Sequence, residues 1–247
     1  MGYEVLEKKL AHYQEHKHLI PETVIQNYEA AFRVEYTHSS TAIEGNTLSL
    51  IETKLLLEDA ISPGGKNLRE IYEVVNHSKA FAYTSRCVTE GKVLDKNIVK
   101  DIHAILMDNI MYGGIYRNVN VYITGARHTP PPPVEAYRQM ECFYADMDGN
   151  KGKMHPIEYA AWTHAEYVKI HPFVDGNGRA SRLIMNYQLM AAGYLPVSIP
   201  TERRLEYFTM LETYACENDL TPFAMLISEL EEARLDMYLT AIEQIKG

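Results

Sequence analysis

The stretch His171-Pro172-Phe173-Val174-Asp175-Gly176-Asn177-Gly178-Arg179-Ala180-Ser181-Arg182 joins two segments of helical periodicity. Upstream, Ile157, Ala160, Ala161, His164, Ala165 and Val168 fall on one face of a helix predicted from about Pro156 to Lys169. Downstream, Leu183, Ile184 and Tyr187 continue an apolar stripe. Pro172 disfavours α conformation in the residue before it, and Gly176-Asn177-Gly178 tolerates positive φ where the second helix begins. The loop can therefore aim backbone N–H groups at the space before a helix N-terminus. Unpaired amides and the positive end of the macrodipole make that space attractive to an anion.

The side chains of the stretch sharpen this into phosphate chemistry. Arg179 and Arg182, three residues apart, share a helix face and offer forked donors to phosphate oxygens. Asp175 beside an anion site calls for a bridging cation, and Mg²⁺ held by one carboxylate plus phosphates is the natural bridge. His171 at the loop entrance can accept a proton near neutral pH. Each residue alone has a plainer reading: a histidine closing a helix is commonly structural, paired arginines are commonly surface charges, and Gly-Asn-Gly is commonly a turn. Their concentration on one helix-loop-helix favours phosphoryl or nucleotidyl transfer.

The rest of the chain reads as mostly helical. Further stripes lie around residues 22–37, 67–86, 96–109, 134–147, 179–192, 203–217 and 222–245, separated by breakers such as Ser62-Pro63-Gly64-Gly65 and Gly113-Gly114. Residues Tyr116 to Ile123 alternate, with Val119, Val121 and Ile123 on one side, and meet Thr124-Gly125 and then Pro130 to Pro133. That pattern predicts a short β-hairpin or flap on a helical body. One compact unit is expected, with an N-terminal helical extension (residues 1–95), a core (96–230) and a C-terminal helix end (231–247).

A formal net charge of −9 excludes the broad basic footprint of a nucleic-acid binder. Cys87, Cys142 and Cys216 are odd in number and lack CxxC spacing, which speaks against a disulfide framework or structural zinc and for a reducing compartment. The N-terminus lacks a signal-peptide pattern and no apolar run is long enough to span a membrane, so a cytoplasmic location without membrane contact is the expectation.

From His171 to Arg182 the sequence resembles the Fic family, whose signature reads HPF, two residues, GNGR, two residues, R. The similarity extends over about residues 98–230 and includes Gly114-Ile115-Tyr116-Arg117. The resemblance implies an all-α bundle with a β-hairpin flap over the active site. It also implies attack by a target hydroxyl on the α-phosphate of ATP, with release of pyrophosphate. It makes His171 the general base, Asp175 the ligand of Mg²⁺ or Mn²⁺, and Gly176, Asn177 and Gly178 an anion nest. Arg179 and Arg182 become triphosphate clamps, and Tyr122, Ile123, Thr124 and Gly125 the flap that docks a target strand. The family's adenine pocket draws on a helix near Tyr207 and Tyr214, which lie seven apart on one face; core packing is the alternative for both.

A second match is Ser40-Thr41-Ala42-Ile43-Glu44-Gly45-Asn46, which resembles the inhibitory motif of Fic proteins. By that resemblance Ser40 and Glu44 belong to a brake in which Glu44 pairs with Arg182 and keeps the γ-phosphate from settling. A helix capping box over Thr41 to Glu44 is the competing reading, weakened by Gly45. His155 and His164 suggest a metal site with His171, but His164 lies on the apolar stripe and is read as a hydrogen-bonded core histidine. The partners implied are ATP and a target protein, which can be the chain itself. The stripe over 222–245 serves packing or a homo-oligomer contact. AMP removal in the same site, use of another donor, a non-catalytic nucleotide-binding module and a DNA-binding regulator are the competing functions.

Overall fold

In the computed structural model, which describes residues 2–246, ten α-helices succeed one another: α1 (Glu4–His16), α2 (Glu22–Ala42), α3 (Leu50–Glu58), α4 (Leu68–Thr89), α5 (Lys96–Leu106), α6 (Pro133–Asn150), α7 (Pro156–Ile170), α8 (Asn177–Ala191), α9 (Arg204–Glu217) and α10 (Thr221–Lys246). The predicted stripes all lie in helices, so the all-α class holds. Two helices carry no apolar stripe that announces them in the sequence. In α1 only Leu6 and Leu10 are buried, and in the nine-residue α3 only Thr53 is. Both α3 and α4 start on capping boxes, Ser49 with Glu52 and Asn67 with Glu70, which close the orphan N–H groups of their first turns.

Helix α8 lies at the centre. It packs along α7 and also meets α2, α4 and α5. Every residue from Arg179 to Leu189 is buried. Leu183, Ile184 and Met185 are fully covered, each contributing roughly 1.5–3 kcal/mol of apolar burial. A helix enclosed on all sides must pair its polar side chains internally. Asn186 does so by donating from Nδ2 to the Val197 carbonyl (2.9 Å) and accepting the Val197 N–H on Oδ1 (2.8 Å), which ties the strand-like 195–199 segment to the helix.

The extension before residue 96 is built into this body. Helix α2 runs beside α4, its C-terminal end reaches α8, and α1 lies along α10. The apolar stripe of α10, including Phe223, Leu226, Ile227, Leu235, Tyr238 and Ile242, is buried within the chain, so packing accounts for it. Among the described residues no helix is long and apolar enough to cross a membrane.

The flap differs from expectation. Residues 116–132 form an extended excursion with a turn in which the Ala126 N–H donates to the Ile123 carbonyl (3.1 Å), yet no strand pairing is present among the described residues. The sequence explains this. A hairpin needs donors on both arms, and the returning arm carries Pro130 to Pro133, which have none.

Asn186→Ala is expected to leave the Val197 amide and carbonyl unpaired in a dry site and to cost about 3 kcal/mol, read as a drop in unfolding free energy in urea with an unchanged m-value.

Candidate active site

The signature loop is held from several sides. His171 caps α7 in the left-handed conformation (φ 53°), its N–H donating to the Tyr167 carbonyl (3.0 Å). Asn177 folds its amide back on Phe173, accepting its N–H and donating to its carbonyl, both at 3.0 Å. Gly176 stands at φ 77°, and a Cβ there would come within 2.6 Å of Met107 Cε.

His103 of α5 braces the loop from below, a residue that no local pattern announces. Its Nδ1 accepts the Gly114 N–H (2.9 Å), so Nε2 carries the ring proton and donates to the Asp175 carbonyl (2.8 Å). The ring stacks on Phe173 at 3.6 Å. Arg117, 5% exposed, ties the loop to the flap. Its backbone N–H donates to the Pro172 carbonyl, while its guanidinium donates to the carbonyls of His171, Val119 and Pro131. One buried cation thus fixes both arms of the excursion.

At the N-terminus of α8 the N–H groups of Asn177, Gly178 and Arg179 have no hydrogen-bond partner among the described residues. The Gly176 N–H is taken by Asp175 Oδ1, so of the three residues expected to form the nest Asn177 and Gly178 keep open N–H groups. Over this terminus sits the carboxylate of Glu44, close enough that a Cβ at Gly178 would collide with Oε1. Helix α2 ends at Ala42, and a turn through Glu44 and Gly45 brings the side chain inward, so the capping-box reading of Thr41 to Glu44 fails. Glu44 Oε1 accepts from Arg182 Nη2 at 2.8 Å. Arg182, 1% exposed, also donates to Ser40 Oγ (2.9 Å), the Ser40 carbonyl (2.7 Å) and the Tyr207 hydroxyl (3.2 Å).

His171 and Asp175 belong to the loop that leads into this helix terminus. His171 Nδ1 donates to the Val168 carbonyl (3.2 Å), which leaves Nε2 as the proton acceptor. Burial pushes the imidazole below its ordinary range, so it stays neutral at physiological pH. For Asp175 burial works upward, and the Arg179 charge, the Gly176 N–H and Arg69 outweigh it, leaving the carboxyl below the usual range. Asp175 lines a cavity of about 480 Å³ together with Glu44, Asn46, Arg69, Glu73 and Arg179. A hard carboxylate beside an anion-binding helix terminus suits a divalent cation that brings phosphates with it.

The comparisons with known proteins agree with this geometry. The sequence pattern of the Fic/DOC family matches residues 93–189. Fic-1 of C. elegans (residues 134–508) is 30% identical, with 96% of this chain and 72% of that one aligned at a TM-score of 0.82. The chain belongs to the Fic/DOC family. A Fic-domain-containing signaling protein from Bacteroides thetaiotaomicron superposes at a TM-score of 0.85 and 25% identity, over 96% of this chain and 98% of that one. Among curated proteins, the protein adenylyltransferase Fic of Drosophila persimilis is 35% identical over 214 residues. Those 214 residues are 85% of this chain and 42% of that protein, so the chain spans less than half of such relatives.

The two tyrosines expected near the adenine are both buried. Tyr207 and Tyr214 present no open face to an adenine. Tyr207 is 1% exposed with its hydroxyl on Arg182 and His164, and Tyr214 is 4% exposed with its hydroxyl on Glu166 (2.7 Å). Helical spacing placed them on one face, and that face turns inward. His164 is the hydrogen-bonded core histidine expected, its Nε2 against Ser181 Oγ (3.1 Å) and the Tyr207 hydroxyl (2.9 Å). The flap residues Tyr122, Thr124 and Gly125 are exposed and Ile123 is half-buried, while its tip is moored to α9 through Arg127 and Glu212.

Burial pushes His103 down from 6.5 to about 4. Between those values the unfolded chain takes up a proton that the folded chain refuses. Stability from this group is therefore whole above pH 6.5 and falls as the pH drops toward 4. His103→Phe keeps the stack and removes the titration. Urea unfolding at about pH 6.5 and about pH 4.5 should show the native chain losing about 2 kcal/mol more than the variant.

Proposed function

We propose that this chain is a protein adenylyltransferase that moves AMP from ATP to a hydroxyl side chain of a target protein, itself included, and that Glu44 restrains it. The observation that carries the reading is the Glu44 carboxylate lying on the N-terminus of α8 and on Arg182, where a phosphate would otherwise rest. The open N–H groups of Asn177 and Gly178, with Arg179 and Arg182, bind the triphosphate and orient the α-phosphate. His171 Nε2 takes the proton of the target hydroxyl as that oxygen attacks the α-phosphorus. The α–β bridging bond then breaks, leaving AMP esterified to the target and pyrophosphate free.

Asp175 would hold Mg²⁺ or Mn²⁺, which when bound neutralises phosphate charge and draws electrons toward the leaving group. The flap backbone around Tyr122 to Gly125, which is in no strand pairing among the described residues, offers an edge to an extended target segment, which reads shape rather than sequence. The free thiols Cys87, Cys142 and Cys216 support a reducing compartment and hence a cytoplasmic location. Removal of AMP in the same site is the second reading. It draws support from Glu44 Oε2, which has no hydrogen-bond partner among the described residues and can orient a water molecule.

Glu44→Gly is expected to raise incorporation of AMP by about tenfold or more, the equivalent of about 1.4 kcal/mol in competition for Arg182. Glu44→Gly/His171→Ala is expected to abolish it. Intact-mass measurement after incubation with ATP and Mg²⁺ reads both results, and equal labelling of the native and Glu44→Gly chains would remove the inhibitory role.

A further inference from the structure

Four charges close into a ring at the wall of the cavity beside the signature loop. Arg69, in the first turn of α4, donates to Asp175 Oδ2 and from Nε to Glu73 Oε1 (3.2 Å). Glu73 Oε1 lies 3.3 Å from Arg179 Nη1, and Arg179 Nη2 donates to Asp175 Oδ1 at 3.1 Å. Each carboxylate meets both guanidinium groups. The remaining oxygen of Glu73 accepts from Asn46 Nδ2 (3.0 Å), and that same amide reaches the Glu70 carbonyl (2.9 Å). Asn46 stands two residues past Glu44. Glu73 therefore touches both the guanidinium groups that hold Asp175 and the loop that carries Glu44.

The members of the ring differ in how readily they can leave it. The Arg179 side chain is 3% exposed and that of Glu73 13%, whereas the Arg69 side chain is 56% exposed. Arg69 regains water when displaced; Arg179 cannot. Arg179 is moreover incompletely paired. Its Nε and Nη1 make no hydrogen bond although both are buried, so its Glu73 contact is one of charge alone. Those donors remain available to an incoming phosphate.

We propose that Arg69 and Glu73 are positioning residues for the cation site. Arg69 covers the Asp175 carboxylate until a divalent cation replaces it, and Glu73 passes that exchange to Asn46 and so to the Glu44 loop. The inference rests on Asp175 being the cation ligand. When the cation arrives with its triphosphate, Asp175 turns from Arg69 to the metal and the phosphates take the spare donors of Arg179. Glu73 is left to the released Arg69, and its hold on Asn46 weakens.

The test measures Mn²⁺ binding from the paramagnetic resonance signal of the free ion, with native, Arg69→Ala and Asp175→Asn chains and no nucleotide. Arg69→Ala should bind Mn²⁺ about fivefold more tightly, the scale of one partly exposed ion pair, and Asp175→Asn should lose binding. Equal affinity of the native and Arg69→Ala chains, with binding lost in Asp175→Asn, overturns the Arg69 assignment and leaves the role of Asp175 standing. Undiminished binding by Asp175→Asn removes the cation-ligand reading and this inference with it. The coupling is read by amide hydrogen exchange over residues 44–47, which should quicken in Glu73→Gln without any ligand. Unchanged exchange there, with the circular dichroism of the native fold, overturns the link to Glu44.

Discussion

A guanidinium group cannot be buried without partners, and the arrangement of this site follows from how Arg182 is satisfied. Stranding such a charge costs several kcal/mol, and Arg182 finds an acceptor at each of Nε, Nη1 and Nη2. Ser40 supplies two of them, a hydroxyl and a backbone carbonyl, which fixes the last turn of α2 against α8. Arg204 holds the same helix end from the other side by donating to the Ile43 carbonyl at 2.7 Å. With α2 so placed, the turn after Ala42 delivers Glu44 to Arg182. The position of the carboxylate is a consequence of the burial of its partner.

The surroundings of Arg182 sharpen the dependence. Tyr207 and His164 lie on one side, and His77 contributes from α4; burial holds both imidazoles well below their ordinary range, so they stay neutral beside the cation. Among the described residues the one carboxylate in contact with Arg182 is Glu44. Its charge can therefore be replaced by another anion, while its removal without replacement leaves the guanidinium uncompensated. Phosphate meets that requirement, since it brings charge and acceptor oxygens together.

What could be read in the sequence was local, and what escaped it was not. The helix-loop-helix from His171 to Arg182 declares itself through glycine, proline and apolar spacing, and Glu44 through a motif resemblance. Arg69, Glu73 and Asn46 had no such signal. Their pairings join the Glu44 loop, the first turns of α4 and the signature loop, segments with no shared periodicity. His103 was hidden for the same reason, its partners lying 11 and 72 residues away. The apolar alternation of residues 116–123 correctly marked extended chain, but pairing depends on the donors of a second arm that Pro130 to Pro133 lack. Tyr207 and Tyr214 show that periodicity reports a shared face and not what covers it.

The two arginines of the signature meet the same condition in different ways. Arg182 is held by a carboxylate from the N-terminal extension, Arg179 by Asp175 and Glu73 from the loop and α4. Each thus rests against carboxylates where the proposed reaction would place phosphate. Binding of a triphosphate is then an exchange of anions on guanidinium groups that folding has already desolvated, so little further desolvation opposes it. On Arg182 the net gain is modest because the contact formed replaces the one to Glu44, whereas the spare donors of Arg179 and the open N–H groups of α8 add contacts that a ligand of few charges leaves unused. Selectivity for a polyphosphate over a singly charged anion follows from that balance, and it requires Glu44, Asp175 and Glu73 to remain in place when the site is empty.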